Sequence, residues 1–475
     1  MSMFDFEFDD YDGPAGEARL NELLEAYENS KSTYFDSDTL EDIANFYFEQ
    51  GRYEDALGVV DRLLETLSFS SDAWMRRGIL LNNLGRHEEA LQAYDRALAL
   101  NPSDTETLVN RGITLDALGR DVEALDAYDD ALQIDPLNDE AYFNRGVTLE
   151  RLDRLDEAIE SFGRCADLNP EHPEVWYELG FCHDRLGRNE DSISCYDKHL
   201  ELEPYSHDAW YNRGIVLNRL GRYGDAAKSY EMAILIQDDF ASAYYNRGNA
   251  LANMGELEEA IECYHRVIEL EGGDSATFYN LALAYEELEN YEEAKKFFER
   301  ALHEDETYPE AWYGLGCCLD AMEEHEKALA LFDRALALRP EVGEFWYAKA
   351  DCLYNAGKVL EALESYKRVL ELEPSNRDAW LDFAETLFEA GRVENALEAY
   401  RRALSLNADA GAYFQQAKAL FALGRADESI RSLKMAFRLD PRTKEEFRHT
   451  YPDLYRDVQI RRMLGLDNES SSSRV

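Results

Sequence analysis

Five asparagines recur in step along the chain: Asn110, Asn144, Asn212, Asn246 and Asn280, each 34 residues or twice that from the next. A carboxamide both donates and accepts, so a row of them on one surface can pair with the backbone of an extended peptide whatever its sequence. The position before is usually aromatic: Phe143, Tyr177, Tyr211, Tyr245, Tyr279, Tyr313 and Tyr347, with Phe414 in a copy displaced by one. Rigid rings give contact area at small entropic cost, which suits them to recognition. Arg151, Arg185 and Arg219 form a third row, and three guanidinium groups one above another can fork carboxylates. Together the rows predict a groove, centred on residues 110 to 313, that captures an extended peptide and reads acid at the three arginines. The same pattern has an internal alternative. The amides would then bond neighbouring turns, and the arginines would bridge Asp116, Glu150 and Asp184.

Rows in step require elements in step. A loop position returns every 34 residues as Gly51, Gly85, Gly119, Asp153, Gly187, Gly221, Gly255, Glu289, Glu323, Gly357 and Gly391, and once more, a residue early, at Gly424. A fixed period of this length means a stacked repeat, in which each unit buries its apolar face only against its neighbours. Acid or Ser near the start of each copy suits a helix N-terminus, and the mid-copy Gly suits a left-handed C-cap. Pro102, Pro136, Pro170, Pro204, Pro340, Pro374 and Pro441 stop the second helix and turn the chain into the next copy. The junctions at Asp238, Gly272, Glu306 and Ala408 lack that proline. Each copy is therefore predicted to be two antiparallel helices joined by a tight turn.

Counting within the period, position 4 holds Trp74, Trp176, Trp210, Trp312, Trp346 and Trp380, position 8 is mostly glycine, and position 11 is mostly leucine. By helical periodicity these three share one face, a large ring beside a missing side chain. In the second helix, Ala at position 20 permits close approach and an aromatic at position 24, such as Tyr94 or Phe298, fills the space between helices. Positions 2, 5, 6, 9 and 13 face the other way, which places the asparagine, aromatic and arginine rows in the groove. Arg77, Arg111, Arg145, Arg213 and Arg247, at position 7, are expected to lay their stems along the packed face and pair with local acids.

On Trp or Tyr at 4, Gly or Ala at 8, Gly at 15, Ala at 20, an aromatic at 24, Ala at 27 and Pro at 32, the chain resembles the tetratricopeptide repeat family, with twelve copies over residues 37–442. The resemblance implies an all-α fold, a right-handed α-solenoid superhelix with a concave groove lined by the first helices. It also implies a binding role toward protein or peptide ligands. The asparagine row is similar to the ladder of O-linked N-acetylglucosamine transferases, where it grips peptide backbone; no glycosyltransferase domain follows here. The carboxylate clamp of the family's chaperone-tail binders is missing, because position 2 carries Asp72, Glu106, Glu140, Glu174 and Asp208.

Acid dominates the 475 residues, with 98 Asp and Glu against 49 Lys and Arg, a formal charge of −49. Such a field repels phosphate backbones and anionic lipid, so neither nucleic acid nor membrane is an expected partner, whereas a basic partner is. Surfaces of this kind also suit a salty cytosol. The N-terminus lacks the basic and apolar segments of a signal peptide, and no apolar run is long enough to span a bilayer. Seven cysteines without a CxxC argue for reduced thiols, so the expected location is cytoplasmic.

Outside the repeats, residues 1–15 alternate acid with Phe4, Phe6 and Phe8 and read as a flexible segment that could lie in a groove. Residues 16–36 read as a capping helix and linker, and residues 443–466 as C-terminal capping helices using Leu454, Val458 and Met463. Residues 467–475 are a Ser-rich tail expected to be disordered. His183, His199, Cys195 and Cys165 fall on packed faces, where either zinc or ordinary burial would account for them; Cys317 and Cys318 read as small core filling. No nucleophilic triad, phosphate loop or HExxH occurs, so no enzyme and no cofactor is expected. A self-assembling scaffold that presents substrates to a separate enzyme is the alternative to peptide capture.

Overall fold

The computed structural model describes residues 23–27 and 35–466. The acidic-aromatic segment 1–15, most of the predicted capping helix, the linker after it and the tail 467–475 lie outside the described residues. Between Ser37 and Leu439 the chain folds into twelve consecutive helical pairs, from Ser37–Glu49 with Tyr53–Thr66 to Ala410–Ala422 with Ala426–Leu439. It divides after Asp238 into two compact units. Each unit is an all-α stack of six pairs.

The pairs form where the local chemistry asks for them. Most first helices start on side-chain caps: Ser70 accepts from the Ala73 N–H, Asn138 from Ala141, Asp274 from Thr277 and Asn376 from Ala379. Several second helices instead start beside an arginine that pairs with an acid three residues on, as Arg86 does with Glu89 and Arg154 with Glu157. The turn between them needs a left-handed residue. Gly85 (φ 71°) and Gly221 (φ 72°) supply it without strain, while Asp153, Glu289 and Glu323 adopt φ of 61°, 57° and 62° at the same step.

Packing explains the small residues. A Cβ on Gly112 would lie 2.4 Å from Cε1 of Tyr128, and one on Gly146 would lie 2.5 Å from Cε1 of Phe162. The ring that occupies the glycine notch thus comes from position 24 of the same pair, not from the tryptophan. The tryptophans are only half-buried, because their indole nitrogens reach outward to the preceding turn: Trp176 Nε1 donates to Pro170 O at 2.9 Å and Trp346 Nε1 to Pro340 O at 2.9 Å. Position 20 alanines such as Ala124 and Ala328 are fully buried. In each unit, successive first helices touch one another while second helices contact mainly first helices. Within each unit the first helices therefore form an inner layer of that unit.

After the last pair, Phe447, Leu464 and Leu466 are buried against Phe414, Leu433 and Phe437. Leu454 packs there, but Val458 and Met463 do not: they are 73% and 43% exposed. The helix at Pro452–Arg456 ends before Asp457, which caps a new one at Val458–Leu464 and turns Ile460 and Leu464 inward instead. No helix among the described residues is long and apolar enough to cross a membrane.

Candidate peptide-binding face

The inner layer carries the predicted rows, and the structure shows what each already holds. The asparagine row splits in two. Asn110, which is buried, donates to Glu106 O at 3.1 Å, and Asn144 donates to Glu140 O at 2.9 Å. Asn212 instead donates to the Tyr177 hydroxyl at 2.9 Å, and Asn280 to the Tyr245 hydroxyl at 2.9 Å and to Asn249 Oδ1 at 3.1 Å. Asn246 is half-buried. Each of these bonds uses the amide's nitrogen, whereas a carboxamide can make four hydrogen bonds.

The aromatic row has a second task. Each ring packs on the position-24 ring of its own pair: Phe143 on Phe162 at 5.7 Å, Tyr177 on Tyr196 at 5.8 Å, Tyr211 on Tyr230 at 5.8 Å and Tyr279 on Phe298 at 5.8 Å. Tyr313 also stacks on Phe345 at 4.9 Å. Phe414 is buried outright, so its ring belongs to the core. Where the next pair carries an acid, the phenol donates: Tyr313 to Glu344 at 3.0 Å, and Tyr347 to Asp382.

All three position-13 arginines are engaged within the chain. Arg151 reaches Asp116 at 2.7 Å and Asp121 at 2.5 Å; Arg185 reaches Asp153 at 2.8 Å; Arg219 reaches Asp184 at 2.5 Å. This is the internal arrangement, with Asp153 taking the place expected of Glu150. A partner carboxylate would have to displace an existing ion pair. The position-7 arginines behave as the sequence implies, for example Arg111 with Asp95 at 3.1 Å and Arg213 with Asp197 at 2.6 Å. The four His and Cys residues of the fourth and fifth repeats sit in packed surroundings. His199 Nδ1 lies 2.8 Å from Pro173 O, and Cys165 and Cys195 are buried thiols.

What sequence reasoning passed over is the crowding of acid on this layer. In the N-terminal unit, burial raises Glu106 and Glu140 above the ordinary carboxylate range, and Glu178 rises to about 8 through burial and the neighbouring Glu150, which shares a hydrogen bond with it. In the C-terminal unit, burial lifts Glu286 to about 7 and Asp351 to about 6, and also raises Asp382. There Asp351, Tyr354, Asp382 and Glu385 line a cleft of about 230 Å³. These acids, at positions 2, 6, 9 and 12, stand in the sequence, but their burial depends on how closely successive first helices approach.

Sequence profiles described as tetratricopeptide repeat match residues 41–105, 84–139, 127–160, 173–206, 241–274, 285–352, 347–413 and 381–443, and one described as TPR repeat matches 216–255. The chain belongs to the tetratricopeptide repeat family. Stacked helical pairs of this family are protein-interaction modules, and this tetratricopeptide repeat chain is built as one. Among solved structures it is similar to YrrB, described as a TPR protein with an unusual peptide-binding site (24% identity, 39% of this chain and 95% of that one, TM-score 0.35). It is also similar to the C-terminal part of a TPR repeat-containing protein from Cytophaga hutchinsonii (18% identity, 50% and 98%, TM-score 0.44) and to the APC/C hetero-tetramer Cut9-Hcn1 (14% identity, 82% and 97%, TM-score 0.42). No curated protein sequence matches it.

Proposed function

We propose that the inner layer of the N-terminal unit binds an extended, basic segment of a protein partner. The observation that carries this reading is the set of carboxyls at Glu106, Glu140 and Glu178, whose charged forms are disfavoured by burial and by neighbouring acids such as Asp104, Asp139 and Glu150. A lysine or arginine side chain entering the layer would supply the missing countercharge, so the same crowding that costs the free chain favours the complex. The asparagine row then grips peptide backbone with its remaining donors and acceptors, and the tyrosines wall the groove. Extended peptides of equal length, one rich in Lys and Arg and one rich in Asp and Glu, test it by titration calorimetry at low and high salt. Binding of the basic peptide alone, weakened by salt, is the expected result; equal binding of both contradicts it.

A second reading, an assembling scaffold, is favoured by one feature of the N-terminal unit. Phe69, Leu137 and Tyr205 occupy the same turn position in alternate repeats and are 86%, 71% and 82% exposed. Light scattering across a concentration series separates the two readings, since assembly that disappears in Phe69→Ser/Leu137→Ser/Tyr205→Ser would favour the scaffold.

A further inference from the structure

Successive repeats meet at a recurring junction of three positions: one near the end of a first helix, the first residue of the second helix, and one inside the next first helix. At one such junction His87 Nδ1 lies 2.8 Å from Asn82 Oδ1, and the Thr114 hydroxyl donates to the same oxygen at 3.0 Å. One repeat on, the three positions are Asp116, Asp121 and Thr148, and Thr148 donates to Asp116 at 2.6 Å. These are ordinary hydrogen-bonded joints.

One junction in the C-terminal unit differs in chemistry. Its positions are Asp320, His325 and Cys352, and one ligand atom of each lies within 4.8 Å of the other two. His325 Nδ1 is 2.7 Å from Asp320 Oδ1, and Cys352 Sγ is 3.5 Å from His325 O. Cys352 is fully buried, while Asp320 and His325 keep side-chain exposures of 20% and 25%, so the cluster opens to solvent on one side. Cys182 and Cys318 stand at the third position of other junctions, but there the second position is Leu155 or Tyr291 and the ligand set is broken. The nearby Lys358 ammonium is engaged by Glu326 at 2.7 Å.

We propose that Asp320, His325 and Cys352 bind a borderline-soft divalent cation, of the zinc class, with its remaining coordination position open to water. A carboxylate and a thiolate neutralise the dication, and a neutral imidazole completes a mixed O, N, S set of the kind such ions accept. Bond lengths of about 2.0–2.3 Å hold ligand atoms roughly 3–4 Å apart, within reach of side-chain rotation in this cluster. The ligands come from two successive repeats, so the bound ion staples one to the next.

Cobalt(II) is the probe, titrated into the metal-free full-length chain. One equivalent is expected to give the thiolate-to-cobalt charge-transfer band and to be displaced by zinc(II). Zinc is also expected to raise the unfolding temperature by mass action. Cys352→Thr installs the residue found at Thr114 and Thr148, so it should fold, as circular dichroism would verify, and lose both the band and the zinc-dependent shift. His325→Ala should lose the shift as well. Absence of the band in the unsubstituted chain, or its survival in Cys352→Thr, overturns the site.

Discussion

Asn212 donates to the hydroxyl of Tyr177, one repeat earlier, at 2.9 Å. Here, as at Asn280 and Tyr245, the polar row and the aromatic row are therefore joined and tie one first helix to the next. A partly buried bond of this kind is worth about 1 kcal/mol. Asn212→Ala and Tyr177→Phe should each lower the denaturant midpoint, and the double variant should lose less than the two together. Strict additivity in that double-mutant cycle would show that the two side chains do not couple.

The glycine notch sets a second expectation. Because a Cβ on Gly112 would fall 2.4 Å from the Tyr128 ring, Gly112→Ala forces that ring to move and should cost about 1–3 kcal/mol. Pairing it with Tyr128→Leu should recover part of the loss. Thermal unfolding measures both.

Left-handed turns give a change of opposite sign. Glu323 holds φ 62° where most repeats place glycine. Glu323→Gly should stabilise the chain by about 1 kcal/mol, since a side chain in this region costs about 1–2 kcal/mol, while Gly119→Ala (φ 70°) should destabilise it. An unchanged melting temperature in both would contradict the strain assigned here.

These turns also show what was legible in the sequence. The 34-residue period fixed the helical pairs and their loops, and even the turns without glycine kept their place, because the stack imposes them at Asp153, Glu289 and Glu323. The asparagine and tyrosine rows were visible as spacing. Their bond to each other was not, since it joins residues 35 apart through the rotation of one pair against the next. The arginines were legible as ion-pair partners, but Arg185 takes Asp153, which the turn brings into reach, not Glu150. Asp320, His325 and Cys352 match no local ligand run, because the junction between repeats assembles them.

Acid crowding predicts a pH dependence. Glu178 titrates near 8 in the folded chain against an ordinary 4.5. Between those values the folded state holds a proton that the unfolded state releases, so stability rises as pH falls from about 8 and is lost as pH rises. Glu178→Gln should flatten that slope, leaving the part that Glu286 and Asp351 contribute, and gain on the order of 2 kcal/mol at pH 8; unfolding curves taken at intervals from pH 5 to pH 8 would display it. An identical slope in the variant would place the effect elsewhere.

The same carboxyls that lower the stability of the free chain would strengthen its hold on a basic partner, so their removal should move stability and binding in opposite directions. The measurement is the affinity of Glu106→Gln/Glu140→Gln/Glu178→Gln for a Lys- and Arg-rich extended peptide, by fluorescence anisotropy beside the unsubstituted chain. The expected variant is folded, more stable at neutral pH, and at least about tenfold weaker in binding, the equivalent of roughly 1.4 kcal/mol. Undiminished affinity in a folded variant would contradict that role for the carboxyls.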